Sequence, residues 1–289
     1  MCLISQEVEK VHDTNLFCGL SSDKKRQITI YSNKVNNISQ NNAMILPVPF
    51  PKTVKFHDMS NYKDFFNDCE SCFEKMYDEY ATLGRSYGTM SMTNSSEPLK
   101  VFSVGSYNVS LAMTLDDLKR VNKNVFALSD GITNVLKKYN KNFGFIICKL
   151  KDGNEQYHPF AYSHEIASEK VFIPTKHYHK EHKTSNSNNY FSQYGLLGSN
   201  FQLSPDNLEA DDWDHNIYLY NVSVNNNFDV KTMDSSKYIW NKKVNINFKK
   251  LLAPLDKTCR SFQKLQISGR HKNVDIVLSV LTDRQNNIL

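Results

Sequence analysis

RQITIYSNKVNNISQNNAMILPVP, residues 26–49, sets two kinds of strand side by side. In its first half, Ile28, Ile30 and Ser32 fall on one side of an extended chain, with Thr29 and Tyr31 on the other. That period-two pattern is the mark of a half-buried antiparallel strand. Its second half, Ala43–Pro49, is continuously apolar and reads as an interior strand ended by Pro47 and Pro49. Upstream, Cys2 to Val8 and Asn15 to Leu20 are further β-rich segments, separated by polar turns such as Ser21-Ser22-Asp23. A chain that opens with four such segments places its core in a sheet.

The clearest helix follows. Ser60 is placed to cap it, and Phe65, Phe66, Cys69, Phe73, Met76, Tyr77 and Tyr80 recur at helical spacing on one face. Asp64, Asn67, Glu74, Lys75 and Asp78 fall opposite. After a polar loop at 84–98, residues 101–104 and 107–113 read as strands, and Thr114 can cap the short helix LDDLKRVN at 115–122. Ser129 starts a second helix whose Ile132, Val135, Leu136 and Tyr139 form one apolar stripe. FGFIICKL (143–150), QYHPFAYSHE (156–165) and KVFIPTKHYH (170–179) are three strands in succession, the first two joined by a turn at 151–154. Residues 180–212 read as a polar excursion, and HNIYLYNVSV at 215–224 returns as a strand. The expectation is an α+β fold, an antiparallel β-sheet core with a few packed helices. A main domain spans 1–222, with a basic C-terminal portion at 223–289 packed on or beside it.

Composition narrows the class. With 40% hydrophobic and 12% aromatic residues, the chain can pay for its own ordering and is not a disordered one. The longest apolar run, residues 43–50, falls far short of the roughly 20 residues a membrane helix needs. Glu7, Glu9, Lys10 and Asp13 stand where the apolar part of a secretory signal would lie. Six irregularly spaced cysteines do not form a disulfide framework, so a cytoplasmic, reducing location is expected.

Three constellations carry chemistry. Cys2 follows the initiator methionine directly. Once Met1 is removed, its thiol can act as a nucleophile with its own amine as base. The alternative is a small buried hydrophobe, the usual fate of a free cysteine. Cys69 and Cys72 form a CxxC, but mid-helix and with no second pair, which points to core packing rather than zinc or redox work. His177 and His179 share a face if extended, and Asp214 and His215 supply further donors, so these histidines are a candidate metal site. Against it, HxH at the edge of a polar segment also describes solvated surface.

Charge is the strongest asymmetry. Between residues 237 and 272 lie Lys237, Lys242, Lys243, Lys249, Lys250, Lys257, Arg260, Lys264, Arg270 and Lys272, opposed only by Asp256. This segment sums to +9, while the rest of the chain carries −4. Such a segment attracts an anionic partner, a nucleic acid or an acidic protein. Tyr238 and Trp240 are placed to stack on exposed bases. The competing reading makes Val244, Ile246 and Phe248 core residues and the lysines their solvated side.

The order of RQITIYSNKV, AMILPVP, VGSYNVSLAMTLDDL, FGFIICKL and HPFAYS…VFIP resembles a family of bacterial and viral proteins without an established activity. That family shares a strand ending in L-P-V-P and a later V-G-x-Y-x-V strand. The resemblance covers residues 27–175 and implies a shared fold; some members begin with a cysteine after processing. MCLIS is also similar to the mature start of N-terminal-nucleophile hydrolases, where Cys2 would be the nucleophile. The leading functional reading is an interaction or assembly protein contacting an anionic partner. An N-terminal cysteine amidohydrolase is the alternative, and a histidine-cluster metal protein comes third. No cofactor is indicated by the residues.

Overall fold

Two of the opening segments form a single strand. In the computed structural model, which describes residues 3–74, 98–150, 158–166, 170–181, 210–222, 235–240, 244–251 and 253–279, the chain runs extended as β1 (Leu3–Leu20) for 18 residues. The polar stretch that reads as a break is absorbed by irregular pairing. Register shifts fall between Val8 and Lys10 and between His12 and Asn15, and Asp13 adopts a left-handed φ of 53°. Asp tolerates that conformation better than most residues, so the strand kinks and continues.

β1 has four strand partners. β2 (Arg26–Asn37) runs antiparallel along residues 8–20, and β3 (Ala43–Pro49) pairs antiparallel with Leu3 and Ile4. Against β1 also lie β10 (Tyr178–Glu181), from Leu3 to Val8, and β11 (Ala210–Tyr220), from Thr14 to Gly19, both parallel to it. From this axis the sheet extends one way through β3, β7 (Phe143–Lys149), β6 (Tyr107–Ala112) and β5 (Phe102–Val104). The other way it runs through β11, β13 (Ser261–Lys272) and β12 (Ser235–Trp240), while β2 carries β8 (Phe160–Glu165) and then β4 (Lys55–His57). The result is one nearly closed, barrel-like sheet of 12 strands. A separate two-stranded ribbon joins β9 (Lys170–Ile173) to β14 (Ile276–Ser279).

The α+β expectation is therefore corrected: the molecule is mostly β. Among the described residues there are two α-helices, α1 (Phe65–Glu74) and α2 (Asp130–Leu136). The third segment read as helical is a 3-10 turn at Asp116–Arg120, where Thr114 Oγ1 accepts from the Asp117 N–H at 3.3 Å. The strands knit into one sheet that curves to bury its own inner face, so few helices are needed to cover it. α1 begins at Phe65, five residues after the Ser60 expected to cap it, whereas Ser129 caps α2 by accepting from the Ile132 N–H at 3.4 Å. The expected pairing of β7 with β8 does not occur: β7 lies between β3 and β6, and β8 lies between β2 and β4. The turn proposed at 151–154 lies outside the described residues.

Alternation along the strands sorts side chains into packed layers. From β1 and β3, Ile4, Leu16, Cys18, Met44, Leu46 and Val48 enter the inner core. Phe17 points the other way and, with Ile28 and Ile30, meets Phe65 and Cys69 of α1. Leu3, Ala43 and Ile45 face Ile132 and Leu136 of α2. AMILPVP is apolar throughout because both of its faces are covered. Its prolines do not end it: the strand runs through Pro47 to Pro49. β1 pairs with β3 only at Ile45 and Met44, so beyond them one edge needs no N–H donor and proline is tolerated.

Besides apolar packing, one buried side chain fastens the ribbon to the barrel by hydrogen bonds to the backbone. Gln27, fully buried, donates from Nε2 to the Phe172 carbonyl at 2.5 Å, and its Oε1 accepts from the Phe172 N–H at 2.9 Å. The amide thus stands in for a strand residue. Replacing it with leucine leaves a buried donor and acceptor unsatisfied, each at a cost of about 1–3 kcal/mol. Gln27→Leu is expected to lower the unfolding free energy by that order, read as a lower urea midpoint with an unchanged slope in equilibrium denaturation.

Candidate functional site

The described chain begins at Leu3, fully buried, with Ile45 of β3 on one side and Tyr178 of β10 on the other. Cys2, the candidate nucleophile, lies outside the described residues. The parallel register sets the start of β1 beside the segment that carries His177 and His179. β11 also runs parallel to β1, with His215 opposite Thr14.

The three histidines named from sequence spacing nonetheless stack around His177. The His177 ring lies 6.0 Å from that of His179 and 6.4 Å from that of His215, with interplanar angles of 21° and 29°. His177 and His215 are each 1% exposed, so neither is the solvated surface residue of the competing reading. Asn273 clamps the backbone at His177, accepting from its N–H at 2.8 Å and donating to its carbonyl at 2.7 Å. The Asp214 N–H donates to His215 Nδ1 at 3.1 Å. Burial drives His215 well below the usual imidazole range. Among the described residues no group of three His, Cys, Asp or Glu is arranged to hold a metal ion. The rings form a packed stack between β10 and β11, with His215 held neutral by its burial.

Asn273 and Asp275 are the residues that sequence reasoning missed. Asp275, whose carboxyl is raised by burial, accepts from Tyr139 Oη at 2.6 Å and from the Lys176 N–H at 2.9 Å. Together they pin the lead-in to β10 against the segment before β14. Nothing in a lone Asn or Asp near the end of a chain marks that role.

The basic segment divides. Lys237, Tyr238 and Trp240 stand on β12, with side chains outside the described part, as are those of Arg270 and Lys272; Lys242 and Lys243 lie outside it altogether. Among the others, Lys264 is buried and grips Glu70 of α1 at 2.7 Å. Tyr218 Oη donates to the same carboxylate at 2.6 Å. Arg260 lies 3.7 Å from Asp256, and the Lys250 ammonium sits 5.5 Å from the centre of the Tyr62 ring. Lys249 is half-buried, and Lys257 is exposed. Three of these five cations are thus engaged within the chain. Val244 and Ile246 are buried and Phe248 packs against Tyr220, as the competing reading required.

The CxxC is structural in its surroundings. Cys69 is fully buried in the layer under α1. Cys72 donates to the Asp68 carbonyl at 3.2 Å and accepts from the Asn245 N–H at 3.3 Å. Burial pushes the thiols of Cys72 and Cys259 up to about 11.

No family model matches the chain. Among solved structures it is similar to baculovirus P35, with a TM-score of 0.50 and 14% identity over 97% of this chain and 100% of that one. A mutated baculovirus P35 after caspase cleavage matches with a TM-score of 0.45 and 12% identity, over 93% and 99% of the two chains. P35 in a complex with caspase-8 matches at 0.43 and 11%, over 96% and 97%. The first of these likenesses establishes that the chain shares the overall fold of P35. Among the described residues no helix is long and apolar enough to cross a membrane.

Two outcomes follow from this burial. His164, also buried, is held down to about 4 by desolvation, with Nδ1 against the Glu165 carbonyl at 2.8 Å. The unfolded chain protonates His164 and His215 near pH 6.5 while the folded chain keeps them neutral. Stability present at pH 7 is therefore lost as pH falls below 6.5, down to about 4 for His164. The His164 contribution is on the order of 3 kcal/mol. Urea midpoints at pH 7 and pH 5 are expected to converge partly in His164→Phe. Separately, brief treatment of the native chain with iodoacetamide is expected to spare Cys18, Cys69, Cys148 and Cys259, all buried. Peptide mapping by mass reads which thiols react.

Proposed function

We propose that this chain is a protein-binding protein whose partner is a caspase. The observation that carries the reading is the end-to-end match of its fold to baculovirus P35, over 97% of one chain and all of the other. A mutated P35 is found after caspase cleavage, and P35 is found in a complex with caspase-8. The interaction role anticipated from composition is kept, and the partner becomes a protease rather than a nucleic acid. Engagement of Lys264 by Glu70 and of Arg260 by Asp256 speaks for structural work by part of the basic segment and weakens the polyanion reading. No geometry among the described residues favours an amidohydrolase.

A mixture of the full chain with active caspase-8 tests the proposal. The expected result is co-elution of the two proteins in size-exclusion chromatography, with fragments of the chain detected by intact mass. Separate elution together with an uncut chain overturns it.

A further inference from the structure

The face of the sheet beneath α1 changes character abruptly. Under the helix, Phe17, Ile28, Ile30 and Tyr218 form an apolar field. One level further along the same three strands it turns polar. Asn15 of β1 stands opposite Ser32 of β2 and opposite Asn216 of β11, making a row of one hydroxyl and two amides. Beyond that row Asp13 holds Lys34 at 2.6 Å, and Asp214 stands exposed beside them. Lys63, Asp64 and Asn67, at the start of α1, face this array across a cleft of about 520 Å³.

Two further walls fix its shape. Phe66 lines the cleft, its ring held 5.2 Å from Phe65 and 5.8 Å from Tyr218. His158, 5% exposed, contributes from the start of β8. It is locked by the Ser106 N–H, which donates to Nε2 at 2.9 Å, and by its Nδ1 at 2.9 Å from the Pro159 carbonyl. Gly105, at a φ of +56°, makes that contact possible, because a Cβ there would run into the imidazole.

The lining selects a ligand class by elimination. A mostly apolar molecule needs apolar walls, and here only Phe66 offers one. An anion meets three carboxylates against two lysines, one of them already neutralised by Asp13. A bare metal ion needs convergent donors, and among the described residues no such group of three exists. The amides and the hydroxyl, with Asp13 already paired to Lys34, suit a neutral ligand rich in hydroxyls with one C–H face. Each side-chain amide presents a donor and an acceptor at fixed spacing, the complement of two neighbouring hydroxyls, and carboxylates accept from others. We infer that this cleft binds a small polyhydroxylated ring, a monosaccharide or a short sugar, with Phe66 against its C–H face. The volume lies within the roughly 300–1,000 Å³ typical of small-ligand sites. The inference is independent of the caspase proposal.

The test is saturation-transfer NMR of the full chain with glucose, galactose, mannose and N-acetylglucosamine in turn. Each is used at about 10 mM, above the millimolar Kd expected of a single-ring site. Transfer to at least one sugar is expected, with affinity reduced at least about tenfold in Asn216→Leu, a 1.4 kcal/mol loss or more. Asp214→Asn, at an exposed position that does not threaten folding, is expected to weaken the same signal. Asn134→Leu, exposed on α2 and outside the cleft, leaves it unchanged. Absence of transfer from all four sugars overturns the inference. So does a signal untouched by both cleft variants, or loss in those variants of binding to a mixed pool of extended peptides with no sugar bound.

Discussion

One strand is asked to satisfy two neighbours on each of its edges. An ordinary strand has one per edge; β1 has β3 then β2 on one, β10 then β11 on the other. Backbone N–H and C=O groups buried in a protein must be paired, so a strand of this length dictates where four others lie. The irregularity around Asp13 lets a single strand change direction between its two sets of partners. Helix placement and the polar cleft beside α1 follow from that arrangement.

Much of this was legible in the residues and some was not. The alternation in RQITIYSNKV and the two-faced run AMILPVP locate β2 and β3 correctly, because periodicity reports which faces are buried. The same signal misleads at Glu9 to Thr14, where mostly polar side chains occupy a strand held largely by backbone pairing. It is also silent on partners. β7 and β8 are adjacent in sequence but not in the sheet, since neighbours are chosen by packing across the whole barrel. The surplus of strand over helix was visible; that a closing sheet would bury its own inner face, leaving little for helices to do, was not.

The candidate site shows the same division. HxH spacing and DWDHN mark His177, His179 and His215 as a group, and the fold brings them together. Spacing does not reveal their environment: His177 and His215 are buried, and burial holds His215 neutral. The basic segment is a compositional fact whose meaning depends on where carboxylates fall. Glu70 stands far from Lys264 in sequence, on another element, and no local pattern pairs them.

The layout of β1 also bears on how the chain acquires its structure during synthesis. Thr14 pairs with His215, about 200 residues later, and closing a loop of that length comes late in folding. The apolar stretch from Leu16 to Leu20 therefore leaves the ribosome with one of its edges open, and that edge stays open until β11 has emerged. A nascent chain of this kind exposes an unpaired strand edge throughout the intervening synthesis, a state prone to aggregation.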